Sequence, residues 1–298
     1  MGKLIRCITS EGAVMVSAVD STDIVAKAEQ IHETSAVVTA ALGRMLTAAS
    51  MMGNMLKGKD NTISLKIDGG GPAGAITVSS DSDGNVRGYA QNNIVEIPLK
   101  PNGKLDVSGA VGRDGNLFVT KNLGMKEPYN GFVPITSGEI AEDITYYYAT
   151  SEQIPTVCAL GVLVDTDLSV KKAGGYILQL LPFTENEIIE KIEKNLARVK
   201  PVTQLLEEGM DIEDIVRDVL EGFDVEVIYT QEVAYKCKCS REKIEATLAG
   251  LGEKELKSMY EDLPQVDVKC HFCNTEYSFS KNDIEKILKK YKKIKNFA

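Results

Sequence analysis

TISLKIDGGGPAGAITVSSD, residues Thr62–Asp81, decides how this chain folds on paper. TISLKID (Thr62–Asp68) and AITVSSD (Ala75–Asp81) each alternate apolar and polar residues with a period of two, the pattern of a half-buried strand. Between them stands GGGPAG. As a phosphate-binding loop it fails twice: no Gly-Lys-Ser/Thr ending follows, and Pro72 removes a backbone donor. It reads instead as the connection of a β-hairpin. Strands joined by so short a loop run antiparallel, which turns the reading away from a doubly wound parallel sheet.

Working outward, Ala13–Val19 alternates weakly and reads as a strand. Thr22–Leu56 reads as helix, broken near His32–Ser35, with Val38, Leu42, Met45, Ala49, Met52 and Leu56 at three- and four-residue steps. Glycine-punctuated strands follow near Val86–Ala90, Leu117–Thr120, Val157–Val164 and Tyr176–Leu181, with a helix at Glu139–Ser151. Residues 1–182 are therefore expected to form an α+β domain, a mixed, largely antiparallel sheet with helices. Met45, Met51, Met52 and Met55 offer either an adaptable binding face or, as helical spacing more commonly means, core.

Pro182 marks a change of composition. Thr184–Lys236 holds 14 acidic and six basic residues. Ile188, Ile189, Ile192, Leu196 and Val199 keep helical spacing up to Pro201, and Leu205, Leu206, Ile212, Ile215, Val216, Val219 and Leu220 suggest two shorter helices beyond it. Such charged helices with narrow apolar stripes are marginal alone and need a surface to dock on. Residues 183–236 are expected to be a charged helical linker.

Residues 237–298 read as a small α/β module. Ser240 is placed to cap a helix over Arg241–Leu248 that Gly250 and Gly252 stop, and Glu253–Tyr260 is a second helix. A short strand at Tyr277–Phe279 follows, then Ser280-x-x-Asp283, a capping-box signal, opening a Lys-rich helix with Ile284, Ile287, Leu288 and Tyr291 on one face. The lysines are most simply a solvated face.

The net charge is −9; from Lys281 the tail is +5, which leaves the preceding 280 residues at −14. A body that acidic repels phosphate backbones, and 6% aromatics with no Trp leaves little for base stacking. No nucleic-acid partner is expected. Arg6, Ser10 and Glu11 interrupt the N-terminal segment before a signal-peptide core forms, and no run approaches 18 apolar residues, so a reducing cytoplasm and no membrane partner are expected.

In that setting clustered cysteines are more often metal ligands or redox sensors than structural disulfides. Four of the six stand in two pairs: Cys237 and Cys239 in C-x-C, Cys270 and Cys273 in CHFC. Two local pincers far apart in sequence are the layout of a tetrahedral four-sulfur zinc site, one Zn²⁺ per chain, with an iron–sulfur cluster and free or disulfide-bonded thiols as the lesser readings. The C-x-C pincer is the less common and the more specific. His271 lies inside the second pincer and reads as a flanking residue, because four sulfurs already fill the site. Lys236, Lys238 and Lys269 abut the cysteines and suit the net −2 of a tetrathiolate zinc. Cys7 and Cys158, in apolar strand patterns, read as small buried hydrophobes.

The cysteine spacing, with ALGRMLTAA (Ala41–Ala49), DGGGPAGAI (Asp68–Ile76), GKLDVSGAVG (Gly103–Gly112) and GGYILQLLP (Gly174–Pro182), resembles the 33-kilodalton redox-regulated heat-shock chaperones of bacteria over the whole chain. The resemblance implies a bacterial cytoplasmic protein that is not an enzyme. It implies zinc on Cys237, Cys239, Cys270 and Cys273 in a reduced, inactive state. It further implies that peroxide or hypochlorous acid with unfolding stress forms Cys237–Cys239 and Cys270–Cys273, releases zinc and unfolds the linker. The protein then dimerises and holds unfolded or oxidatively damaged clients without ATP. The rival readings are a dithiol-disulfide oxidoreductase using CHFC, which needs a helix starting at the first cysteine, and a static zinc module of a translation or nucleic-acid factor.

Overall fold

The computed structural model describes residues 1–295, with side chains through Lys289. The chain divides into two compact units, Met1–Lys236 and Cys237–Ala298.

The first unit is layered around one helix. Its elements run β1 (Gly2–Thr9), β2 (Val14–Asp20), α1 (Thr22–His32), α2 (Ala36–Asn54), β3 (Thr62–Gly70), β4 (Ile76–Asp81), β5 (Val86–Ala90), α3 (Val107–Val111), β6 (Gly112–Asn122) and β7 (Tyr129–Pro134). There follow α4 (Ala141–Tyr147), which passes into a π-helical turn (Tyr148–Glu152), β8 (Thr156–Val164), β9 (Val170–Leu180), α5 (Asn186–Arg198), α6 (Val202–Glu207), α7 (Ile212–Val219) and β10 (Val225–Val233). The strands make two five-stranded sheets, β10-β1-β2-β9-β8 and β5-β4-β3-β6-β7. Every paired strand is antiparallel.

The opening hairpin is β3–β4, paired in register from Thr62↔Asp81 to Ile67↔Ile76. Its loop amides are spent within the fold: Gly71 N–H donates to Val111 O (3.0 Å) and Ala73 N–H to Ala110 O (2.9 Å). Glycine is required there by contact, since a Cβ on Gly71 would lie 2.4 Å from the Ala110 carbonyl oxygen. The helix expected over Thr22–Leu56 is indeed broken near His32: α1 ends on Glu33 at φ 50° and α2 restarts after an extended Ser35.

Helix α2 lies between the inner faces of both sheets. Leu4, Val19 and Ile177 of one sheet and Ile63, Leu65, Val78 and Leu117 of the other share its core. Met45 and Met51 are 0% exposed and Met52 1%, so the methionine stripe is core and not a binding face. By length and mean hydropathy (1.3) α2 taken alone would pass for a membrane span, a test that buried core helices also meet. Its Thr, Ser and Gly residues dilute apolar runs without lowering the average enough, and 89% of that window is buried inside the fold.

The outer face of the first sheet carries a second core. Ile5, Val14, Val16, Ala18, Tyr176 and Leu178 pack against the apolar stripes of α5, α6 and α7. Helix α7 is fixed at its start by Asp211, whose carboxylate accepts from the amides of Glu213 (2.8 Å) and Asp214 (2.9 Å). The stretch expected as a helical linker thus holds three helices and, at variance with that reading, strand β10. β10 pairs with β1 from Gly2↔Val233 to Thr9↔Val225. Its buried ends, Val225 and Val233, enclose a mostly exposed edge strand that alternates too weakly to announce itself.

The second unit has α8 (Arg241–Gly250), α9 (Glu253–Asp262), β11 (Gln265–Lys269), β12 (Glu276–Ser280) and α10 (Lys281–Lys295). β11 and β12 form an antiparallel ribbon. Ser240 caps α8 through the Lys243 amide, 3.4 Å. The capping box of α10 is formed: Ser280 N–H donates to Asp283 Oδ2 (3.0 Å) and Asp283 N–H to Ser280 Oγ (3.3 Å). The unit's core is Leu248, Leu256, Val266, Phe279, Ile284, Ile287 and Leu288. Tyr291, expected beside them, lies outside the described side chains.

Candidate metal centre

The second pincer is a turn and the first an irregular segment, and together they bring four sulfurs to one place. Cys270 to Asn274 forms a knuckle between β11 and β12: Cys270 N–H donates to Thr275 O (2.9 Å), and Asn274 N–H returns to Cys270 O (2.8 Å). Asn274 takes φ 57°, a conformation asparagine tolerates. Cys237-Lys238-Cys239 precedes the capped start of α8, and the Lys243 ammonium donates to Lys238 O (2.6 Å), placing positive charge at the pincer.

The four sulfurs of Cys237, Cys239, Cys270 and Cys273 all lie within 4.8 Å of one another, and the cysteines are free thiols. Cys237 and Cys270 stand 3.7 Å apart, Cys239 and Cys273 3.4 Å. Metal–sulfur bonds of about 2.3 Å in a tetrahedron set sulfurs roughly 3.8 Å apart. The donor set and its spacing therefore fit Zn²⁺. His271 is not in the cluster.

Two hydroxyls stand on the sulfurs, and sequence reasoning missed both. Tyr277 Oη donates to Cys239 Sγ (3.1 Å), and Thr275 Oγ1 lies 3.2 Å from Cys273 Sγ. The only sequence signal is their alternation after Cys273, which puts residues 275 and 277 on one side of a strand.

The electrostatics follow from burial and these contacts. Burial pushes the Cys237 and Cys270 thiols up. Burial also raises Cys273, but the Thr275 hydroxyl and amide with the Cys239 and Cys237 sulfurs outweigh it and bring it down to about 7. The bond to Cys239 pushes the Tyr277 phenol up to about 12, so it stays a donor at neutral pH. A metal at the centre must displace the protons that burial favours, which makes its affinity fall in acid.

Elsewhere, Cys7 is fully buried with its thiol pushed up to about 11 by burial, and burial likewise raises Cys158. Both are poor nucleophiles at neutral pH. His32 is 5% exposed, and its Nε2 lies 3.2 Å from the Tyr235 hydroxyl. After CHFC the chain enters strand β12, where an oxidoreductase would have a helix.

Comparison with known proteins gives one consistent answer. The family profile described as Hsp33 protein matches residues 2–280. A "33 kDa chaperonin" of Clostridium botulinum is 46% identical over 287 residues, 96% of this chain and 97% of the relative. One from Clostridium perfringens is 46% identical over 292 residues, 98% of this chain and 92% of the other. The crystal structure of the 33 kDa chaperonin (heat shock protein 33 homolog) of Thermotoga maritima superposes with a TM-score of 0.87 at 38% identity, covering 96% of this chain and 97% of that one.

Proposed function

The chain belongs to the Hsp33 family, and on that premise we propose that it is a redox-regulated, ATP-independent holdase of the bacterial cytoplasm. The observation that carries the proposal is the convergence of four thiols in a unit whose core counts seven buried side chains among the described residues. In the reduced state Cys237, Cys239, Cys270 and Cys273 hold one Zn²⁺, which when bound supplies a cross-link between the two pincers. Such a cross-link contributes about 10–16 kcal/mol, as much as the whole stability of an ordinary domain, about 5–15 kcal/mol.

Oxidation closes Cys237–Cys239 and Cys270–Cys273. Loop-closure entropy gives disulfides in rings this small only about 1.5–2 kcal/mol each, before strain. The bridges fall far short of the lost cross-link, so the second unit unfolds instead of locking. Helices α5–α7, with their narrow stripes, are next in order of weakness. Their departure bares the outer face of the first sheet, including Val14, Val16, Tyr176 and Leu178, and that face together with the freed helices is the client surface. The activated protein works as a homodimer on unfolded or oxidatively damaged clients, with no nucleic acid or membrane among its partners.

The test follows zinc release, far-UV circular dichroism and suppression of client aggregation in the same samples, treated with peroxide at mild heat. Zinc loss, helix loss and protection arising together, with protection reversed by reductant, is the expected result. Zinc loss without protection of any client would leave a static structural site. The oxidoreductase reading needs turnover of a dithiol substrate, and the strand that follows CHFC argues against it.

A further inference from the structure

We propose that the Tyr277 hydroxyl is a brake on oxidation of the first pincer, holding back Cys239 so that Cys237 reacts first. The inference rests on reading the cluster as an oxidisable zinc site. Tyr277 sits on β12 opposite Val268, with its ring partly buried against the small core and its hydroxyl 3.1 Å from Cys239 Sγ. At the second pincer the direction is the reverse, Cys273 Sγ donating to Thr275 Oγ1 (3.2 Å). The donated hydroxyl therefore falls on the first pincer, at the sulfur that stands 3.4 Å from Cys273 Sγ. Burial alone does not ask for this: Tyr277 could turn its hydroxyl to water from an exposed ribbon, and its neighbours Glu276 and Ser278 do face solvent.

The chemistry gives the placement its meaning. A thiolate attacks a peroxide oxygen with a sulfur lone pair; the O–O bond breaks, hydroxide leaves, and a sulfenic acid remains. The other thiolate of the pincer then attacks that sulfur, the S–O bond breaks, and a second hydroxide leaves. Two thiolates lose two electrons to form one disulfide, and the peroxide, with two protons from solvent, becomes two waters. A hydrogen bond donated to sulfur withdraws the lone pair that makes the first attack and lowers nucleophilicity. Within the first pincer Cys237 accordingly meets the oxidant first, and Cys239 resolves. Outer hydrogen bonds of this kind also tune how tightly thiolates hold metal.

The test uses full-length, zinc-loaded protein and peroxide, read by a colorimetric zinc indicator and by trapping sulfenic acids with a 1,3-dicarbonyl probe, mapped by peptide mass spectrometry. Tyr277→Phe keeps the ring and removes the hydroxyl. It is expected to release zinc about three- to tenfold faster, and to add Cys239 to the trapped positions. Replacing Tyr277 by 3-fluorotyrosine, a stronger donor of the same shape, should slow release. That arm holds even if Tyr277→Phe binds zinc poorly, and a merely structural role would not move it. Unchanged rates and an unchanged trapping pattern overturn the brake alone. A wild-type protein that binds no zinc, or keeps it in peroxide, overturns the brake and the holdase proposal together.

Discussion

The two units of this molecule are held together by different forces. The first encloses two apolar cores, one around α2 and one under α5–α7, built from 37 and 18 buried side chains among the described residues. The second has seven, and four sulfurs within 4.8 Å. Hydrophobic burial is distributed: losing one side chain costs a fraction of the total. A metal cross-link is concentrated, and everything it contributes leaves with one ion. A chain that must stay folded in one part and come apart in another on a chemical cue gains from having both.

The largest expected effect breaks the comparison outright. Removing zinc with a chelator at neutral pH takes away about 10–16 kcal/mol and should unfold residues 237–298 while leaving β1–β9 protected. Hydrogen exchange read by mass spectrometry checks this; protection persisting in α8–α10 without metal contradicts it.

Next come the cores themselves. Phe279→Ala, in the second unit, should cost about 3–5 kcal/mol, and Leu46→Ala, in the first, about 2–5. Phe279 and Leu46 are both 0% exposed. With zinc bound, thermal melts should show both variants folded. Without it, Phe279→Ala should melt like the wild type, because the second unit is already unfolded, whereas Leu46→Ala should still lower the first unit's transition.

A smaller effect probes the layer between these extremes. Asp211→Ala removes the cap of α7 and should cost about 1 kcal/mol. Its signature is selective: α5–α7 should exchange faster while the α2 core is unmoved, and peroxide activation should need less heat.

The smallest is an acid titration. Burial raises Glu139, but hydrogen bonds from Lys100 and Arg44 outweigh it and hold its carboxyl below the ordinary glutamate range. A depressed carboxylate contributes stability above its unfolded value and loses it as pH falls through the folded one. Glu139→Gln should therefore flatten the acid limb of the first unit's Tm-against-pH curve. It should leave acid release of zinc unchanged, because that depends on protonating sulfur.

Much of this was legible from residues alone, for physical reasons. The β3–β4 hairpin has a two-residue period and a glycine loop, so neighbours in sequence are neighbours in space. The convergence of the four cysteines was legible because two short pincers leave sulfur few other uses at that spacing. β10 was hidden: VEVIYTQEV sits among acidic helices, and its partner β1 is more than 200 residues away. A strand made by so distant a partner has little local pattern to show. The Tyr277 hydroxyl was hidden for the same reason: it reaches Cys239 across 38 positions and meets it only once the ribbon has formed.

The burial of α2 has a consequence for how the protein is made. The helix ends at Asn54, but β8 and β9, which cover one side of it, end only at Leu180. At about 5–20 residues per second, synthesis leaves a helix greasy enough for a bilayer without that cover for roughly 6–25 s. A member of a chaperone family thus spends its own first seconds as an unfolded chain. Ribosome-arrested chains that end before β8 should be cut by protease within α2, and chains that have released β10 should not; equal resistance in both would mean the first half shelters the helix alone.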